Sequence, residues 1–368
     1  MAIEVSEAKW TLLFSDRKAV RLREVAAWDA GDFDRELAKA KQRFALGPHV
    51  SVVSCYEAGR VGFSLHRFLA SRGVENRVVD PGSIEVSRGR KHRKTDRLDV
   101  TKLLQMLLRY EVYGEKTTWR VCRVPTPPQE AERRGDREHD RLQKERKGHV
   151  SRIRSLLATQ GARAGSLKAL RPGAIRDGSG ALLAPALQEE IGRELERLAV
   201  LARERAAALR SPATPAQRDA AKLKELRGIG PIGSMALATQ FFSWRDFRTV
   251  REVGAAAGLT GCPYDSGARR VEQGISKAGS RRIRTLAVEL AWMWLRFQPD
   301  SALSQWYFER FGGAGRPAKG GGPQAKRARR LRRIGIVALA RKLRVALWKW
   351  LRFDTLPERA VRRVPALP

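Results

Sequence analysis

The sequence predicts an α/β domain followed by mainly all-α segments, and three observations carry that reading. Short apolar or alternating runs split by polar turns crowd the first third of the chain. Two long stripes at helical spacing occupy the middle, and Trp-rich helical stretches with a basic tail make up the rest. A chain of 368 residues has room for two or three domains and a substantial core.

Charge bounds the function. The 73 Lys and Arg outnumber the 39 Asp and Glu, leaving a net +34 and an isoelectric point near 11.2. Such an excess repels itself in a compact protein unless a polyanion neutralises it, so nucleic acid is the expected partner. No apolar run approaches the ~18–20 residues of a spanning helix, and no signal-peptide pattern opens the chain, so no membrane association is expected. Cys55, Cys122 and Cys262 are odd in number and far apart. They suit neither a disulfide framework nor a zinc ribbon, and fit a cytoplasmic, nucleoid-associated protein.

Ala2–Val5, Trp10–Phe14 and Ala19–Ala27 read as three strands. Asp32–Leu46 carries helical spacing through Phe33, Leu37 and Phe44 and stops before Gly47-Pro48. His49–Gly59 is a nearly continuous β-branched run, suited to a strand buried on both faces and ending in Glu57. Val61–Arg72 is an amphipathic helix stopped by Gly73, and a strand follows through Arg77-Val-Val-Asp. The basic loop Ser87–Lys94, with Arg90, Lys91, Arg93 and Lys94, leads into a strong helix from Thr95. A further strand is expected over Trp119–Val124. Three strands, a helix, then alternating strands and helices is the order of a mixed-sheet domain of the RNase H type.

Four acids stand out in this region: Glu4 in the first strand, Glu57 at the end of the central one, and Asp96 with Asp99 one helical turn apart. Carboxylates from two strands and a helix can converge at one sheet edge, where magnesium or manganese, with its preference for hard oxygen ligands, would offset their repulsion. Taken singly, each has a plainer role. Asp96 and Asp99 suit the positive end of a helix capped by Thr95, and Glu4 and Glu57 suit solvated strand positions.

Beyond Gln129 the stripes Leu142–Leu157 and Leu187–Leu209 read as two helices of an antiparallel coiled-coil arm. After a Pro-containing linker at 211–215, the run Ala221–Phe241 resembles a helix-hairpin-helix whose Gly228 and Gly230 can offer backbone N–H groups to a DNA phosphate. Gly258–Arg284 then places Ser266 in an Asp-Ser-Gly turn among Arg269, Arg270, Lys277, Arg281, Arg282 and Arg284, opposed only by Asp265 and Glu272. A hydroxyl among guanidinium forks suits attack on a phosphodiester, though a Ser-Gly turn in a basic loop has the same composition. Tyr264 is the nearest rival nucleophile, and Ser276 and Ser280 suit the start of a phosphate-binding helix. The glycine-rich connector from Gly312 leads to a tail in which Arg316–Phe353 holds 13 basic residues and no acid. Within it Ile336, Leu339, Leu343, Leu347 and Leu351 mark a packed helix with a basic face.

Together these pieces resemble the DEDD transposases, the insertion-sequence one-hundred-and-ten family of RNA-guided serine recombinases. The likeness rests on the order Glu4, Glu57, Asp96, Asp99 with the KTDRLD block at 94–99, the arm ending RIRSLLATQG, the LRGIGP hairpin, the SG…GISKAG…IR block at 266–284 and the late ARKLRVALWKWLR helix. It covers most of the chain. The family carries Asp at the first acidic position; here Glu4 is one methylene longer, a reach of roughly 1.5 Å. The resemblance implies a RuvC-like domain over 1–127, the arm over 128–215, a helical transposase domain with helix-hairpin-helix and catalytic serine over 216–311, and a basic linker and helix over 312–368. It also implies a phosphoserine intermediate, a Mg2+ (or Mn2+) ion on the four acids, and a structured guide (bridge) RNA that selects donor and target DNA. A homo-oligomer (dimer or tetramer) would have different subunits supply the two halves of the site. Two other readings fit the residues: a structure-selective nuclease in which the acids run two-metal hydrolysis with water, and a non-catalytic nucleic-acid binder.

Overall fold

Three consecutive antiparallel strands open the chain: β1 (Ala2–Val5), β2 (Lys9–Ser15) and β3 (Val20–Ala26). Helix α1 (Ala30–Arg43) starts where the Asp29 side chain accepts from the Asp32 N–H, and carries the chain to β4 (Val52–Glu57). Helix α2 (Ser64–Ala70) and strand β5 (Val74–Val79) follow. β4 lies parallel to β1, and β5 parallel to β4, giving a five-stranded mixed sheet in the order β3-β2-β1-β4-β5. The next helix, α3 (Asp96–Glu111), begins at Thr95, whose hydroxyl accepts from the Leu98 N–H as its cap. This is a mixed α/β arrangement compatible with an RNase H-like fold. The computed structural model describes residues 1–85, 95–163, 165–208, 214–266, 269–311 and 322–363, with the backbone alone at 215, 266, 269, 270 and 272.

Strand alternation decides which helix covers which face. Ile3, Trp10, Leu12 and Tyr56 pack with Phe33, Leu65 and Leu69 of α1 and α2. Their neighbours Ala2, Leu13 and Cys55 point the other way, onto Val100, Leu103 and Leu107 of α3. Cys55 is fully buried there, its thiol 3.7 Å from the Leu103 carbonyl, and burial pushes its pKa up to about 12. The strand expected over Trp119–Val124 is not formed as such. It runs beside β5 as one antiparallel bridge, Val79 with Val121, flanked by Asp80 N–H to Arg120 carbonyl (2.9 Å) and Cys122 N–H to Val78 carbonyl (2.7 Å). β5 ends at Val79 and turns away through Pro81–Ser83, so no longer ladder can build.

The chain divides into two compact units, Met1–Pro125 and Thr126–Pro368. The second opens with α4 (Pro127–Thr159), which starts well before the Leu142 stripe because Thr126 and Gln129 form a reciprocal capping box. α5 (Pro185–Ala208) lies antiparallel to it, with His149 facing Glu194 near mid-arm and Gly135 against the Ala208 carbonyl at the base. Ile153, Leu157 and Ile191 close on the connector residues Ile175 and Leu183.

The remaining elements are α6 (Pro215–Lys224), α7 (Pro231–Leu237, continuing as a π turn over Ala238–Phe242), α8 (Val250–Ala255), β6 (Gly261–Ser266), β7 (Arg269–Ile275), α9 (Arg281–Phe297), α10 (Ala302–Phe311) and α11 (Pro323–Phe353). The basic tail helix is no appendage. Ile336, Leu339, Leu343 and Leu347 of α11 share one core with Phe241, Trp294 and Leu223, and Gly335 lets the Phe311 and Tyr307 rings lie against the helix backbone. A second departure is that 258–284, expected as a turn within helical packing, holds the two-stranded antiparallel ribbon β6–β7. Among the described residues no helix is long and apolar enough to cross a membrane.

The arm carries its own acid sensitivity. Burial raises the Glu194 carboxyl, but hydrogen bonds from His149 (2.6 Å) and Arg152 (2.9 Å) more than offset this and bring it to about 2. The unfolded chain therefore binds the proton first, and the stability Glu194 contributes is full above about pH 4.5 and lost as pH falls toward about 2. Glu194→Gln should flatten the loss of helical circular dichroism across that window relative to wild type.

Candidate active site

The ribbon fixes where Ser266 stands. Tyr264 pairs with Val271, Asp265 with Arg270 and Ser266 with Arg269, so Ser266 is the last residue of β6 and Arg269 the first of β7. Tyr264 lies two positions back along the strand, half exposed, on the face that alternation also assigns to position 266. A register irregularity between Gly261 and Pro263 bends the ribbon near its base.

That base is built from backbone packed directly on backbone. Gly258 has φ +63°, and a Cβ there would sit 2.3 Å from the Ala278 carbonyl oxygen. At Gly279, φ +77°, a Cβ would sit 2.7 Å from the Ala256 carbonyl oxygen. Only glycine meets both demands. The Ser276 N–H donates to the Thr260 carbonyl (2.8 Å) and the Lys277 N–H to the Gly258 carbonyl (3.1 Å). The Arg284 guanidinium then donates to the carbonyls of Ala257 (3.2 Å), Lys277 (2.9 Å) and Ala278 (3.2 Å). Two of the six cations expected around the serine are thus held by the fold. Arg284 ties the ribbon base, and Arg282 grips Asp136 of α4, donating to its carboxylate (2.9 Å for Nη2 to Oδ1) and its carbonyl (3.1 Å). Lys277 and Arg281 are exposed, Lys277 in a left-handed conformation (φ 54°), and Ser280 caps α9 by accepting from the Ile283 N–H.

The α6–α7 turn carries Gly228 at φ +87°, close to the Met293 carbonyl, and Gly230 as the residue before Pro231 opens α7. Both glycines line a cleft of about 720 Å³ together with Arg227, Arg296 and Arg363. Arg363 also donates to the Ile229 carbonyl (2.9 Å). Arginines and backbone thus share one recess, a combination suited to phosphate oxygens.

In the first unit, Glu4 and Glu57 line one cleft of about 690 Å³ with Glu7, Trp28 and Arg60. The parallel β1–β4 register, Ala2 with Cys55 and Ile3 with Tyr56, carries forward to bring positions 4 and 57 alongside. Both share the strand parity of Ala2 and Cys55, and so belong to the face covered by α3. Asp96 and Asp99 occupy the first turn of α3, Asp96 exposed and Asp99 half-buried. The pKa of Lys9 on β2 is raised, chiefly by its hydrogen bond to Glu24, with the Asp96 charge adding to it. Among the described residues no three His, Cys, Asp or Glu side chains form a group close enough to hold a metal ion. Strand pairing therefore unites two of the four acids and leaves the helical pair at the edge of the same face. Arg90, Lys91, Arg93 and Lys94 lie outside the described residues, and for Ser266, Arg269 and Arg270 the structure places the backbone.

Sequence reasoning missed Asp136. It sits in a run of alternating charges, and nothing local distinguishes the buried acid from its solvated neighbours. It also missed the ribbon, whose alternation is broken by Pro263, Gly267 and Gly274.

The chain is similar to known proteins along its whole length. Residues 220–305, spanning the α6–α7 turn, the ribbon and α9, match the model of the Transposase IS116/IS110/IS902 family. The Sinorhizobium fredii protein named "Putative transposase y4rJ" is 37% identical over 388 aligned positions, covering 99% of this chain and 94% of that protein. A second protein of that organism, "Putative transposase y4qE", is 28% identical over 75% of this chain and 65% of its own. The transposase for insertion sequence element IS1328 of Yersinia enterocolitica is 33% identical over 89 residues, 24% of this chain and 27% of its own.

The different duties of neighbouring arginines are separable by stability. Arg282→Ala strands the nearly fully buried Asp136 carboxylate and should cost about 3 kcal/mol. Arg281→Ala, at an exposed position, should stay within about 0.5 kcal/mol of wild type in urea unfolding.

Proposed function

This chain belongs to the IS116/IS110/IS902 transposase family, and from that premise we propose that it cuts and rejoins insertion-sequence DNA through Ser266. The observation that carries the reading is the position of that serine. It ends β6 at the tip of a ribbon, opposite Arg269 and next to the pair Asp265–Arg270, on a base too tightly packed to shift freely. A ribbon tip can reach a phosphodiester that a recessed residue cannot, and the family block falls on these residues.

In this mechanism the Ser266 oxygen attacks phosphorus, a P–O bond to one sugar breaks, and the serine proton ends on the departing sugar oxygen. The phosphodiester is exchanged for a phosphoserine ester, so a second sugar hydroxyl can reverse the step without an external energy source. Arg269 and Arg270 neutralise charge that builds on the non-bridging oxygens. Lys277, Arg281 and the recess of Arg227, Gly228, Gly230, Arg296 and Arg363 hold flanking backbone phosphates.

The acids serve the same reaction. Glu4 and Glu57, already on one cleft, are hard oxygen donors suited to magnesium or manganese, and Asp96 and Asp99 in the first turn of α3 would complete the set. A divalent ion bound there supplies Lewis-acid polarisation of a phosphoryl oxygen. The net charge of +34 supports a large polyanionic partner, which we assign to a structured RNA that chooses donor and target DNA, with an oligomer as the active form.

With end-labelled DNA and magnesium, wild type should yield label that migrates with denatured protein, and Ser266→Ala should yield none while still binding DNA. An adduct that persists in Ser266→Ala and vanishes in Tyr264→Phe would move the nucleophile to Tyr264. Cleaved DNA without any adduct would favour hydrolysis by the acids alone.

Asp99→Asn should lower cleavage by at least a hundredfold and leave DNA affinity equal or higher, since a negative charge beside phosphate is lost. Undiminished cleavage by both Asp99→Asn and Asp96→Asn would make those acids purely structural. Glu4→Asp should retain or raise activity.

A further inference from the structure

Helix α11 carries two apolar stripes, one buried in the core and the other at the edge of the core. Ile336, Leu339, Leu343 and Leu347 are buried against α9 and the helices around it. A second row, Ile334, Val337, Ala338, Val345 and Ala346, is half-buried or exposed and forms one wall of a cleft of about 980 Å³ in the second unit. Leu303 and Trp306 of α10 form the facing wall, and Ile275 with Gly261 and Gly274 closes the side at the base of the ribbon. Five cations edge it, Arg330, Arg333, Arg341, Lys342 and Lys349, and no acid is among the described residues lining it.

We propose that this groove docks an acidic amphipathic helix of a protein partner. Length, floor and rim each support that occupant. From Arg330 to Lys349 the groove follows α11 for about 28 Å, or five helical turns. Counted from Ile334, its apolar residues on α11 stand at i, i+3, i+4, i+11 and i+12, one helix face crossed by Arg341 and Lys342, so the matching ligand presents its own apolar stripe at helical spacing. Ala338 and Ala346 leave shallow places two turns apart where a second helix can approach closely. The rim requires acids flanking that stripe. Single-stranded nucleic acid fits less well, because it needs successive aromatic platforms. Here the floor is aliphatic with one indole, Trp306, already under the Lys342 ammonium at 4.6 Å. An occupant of this groove touches Gly261, Gly274 and Ile275, and so bears on the root of the ribbon that ends in Ser266.

The probe is a fluorescein-labelled 18-residue peptide with Leu and Ala at the apolar positions of a helix and Glu elsewhere. A scrambled peptide of the same composition and charge is the control. Against the full-length protein at 0.15 M salt, fluorescence anisotropy should show the periodic peptide binding at least tenfold more tightly than the scrambled one. Ile334→Asp, at a half-exposed position, and Ala338→Trp, which fills the groove, should each abolish that difference while thermal unfolding stays unchanged. Equal binding of the two peptides would overturn the proposal, leaving charge attraction alone. Displacement of the periodic peptide by oligouridine, with Ile334→Asp weakening both ligands, would reassign the groove to nucleic acid. A smaller particle mass for Ile334→Asp in light scattering would reassign it to a second copy of this chain.

Discussion

The second unit hangs on a contact with no room for a side chain. At Gly258 the chain passes so close to Ala278 that a methyl group would overlap its carbonyl oxygen, and Gly279 repeats the arrangement against Ala256. Backbone packed on backbone at this distance leaves no soft degree of freedom. Arg284 then binds three carbonyls that converge there, which would otherwise be half-buried acceptors without enough donors. The two ends of the ribbon enter and leave through this knot. The position of Ser266 therefore follows from glycines eight residues before it and thirteen after it, rather than from its own neighbours.

A different constraint governs the first unit. Parallel pairing of β1 with β4 brings their carboxyl ends together, and the two-residue period of the strand sends Glu4 and Glu57 to the face that α3 covers. Two acids side by side repel, and the cationic surroundings of a strongly basic chain soften that repulsion. Arg60 and Glu7 pair at the rim of the same cleft, and Lys9 stands within the field of Asp96. Ligands, if cationic, meet a local acidic recess in a protein whose overall field attracts the opposite charge.

The basic excess is itself divided. Arg344 is almost wholly buried in α11, donating to the Val253 carbonyl and lying over the Phe241 ring, and burial beside Arg245 pushes its pKa down to about 9. Arg133, packed on Trp244, falls to about 10 for the same reason, with Arg137 adding to the effect. Arg282 and Arg284 are likewise spent on the fold. A guanidinium supplies five donors and a flat apolar face, so it can staple carbonyls and rings as readily as it meets phosphate. Net charge alone thus overstates the cationic surface offered to a polyanion.

Local pattern by itself determined much of this protein. Alternation and β-branching marked β1 to β5, caps such as Thr95 marked helix starts, and the stripe Ile336–Leu347 marked the buried face of α11. The KTDRLD and Ser266 blocks stand out because each is short and contiguous, whereas Glu4 and Glu57 come together only through strand pairing. Tertiary structure alone decided the remainder. It chose the partners of the α11 stripe, made a ribbon of Gly261–Ile275 despite Pro263 and its glycines, and reduced Trp119–Val124 to a single bridge beside the end of β5. It also chose among chemically identical arginines, turning Arg282 to Asp136 and leaving Arg281 in solvent. Periodicity records which side of an element is apolar, whereas the partner of a long charged side chain depends on residues more than a hundred positions away, to which no local pattern refers.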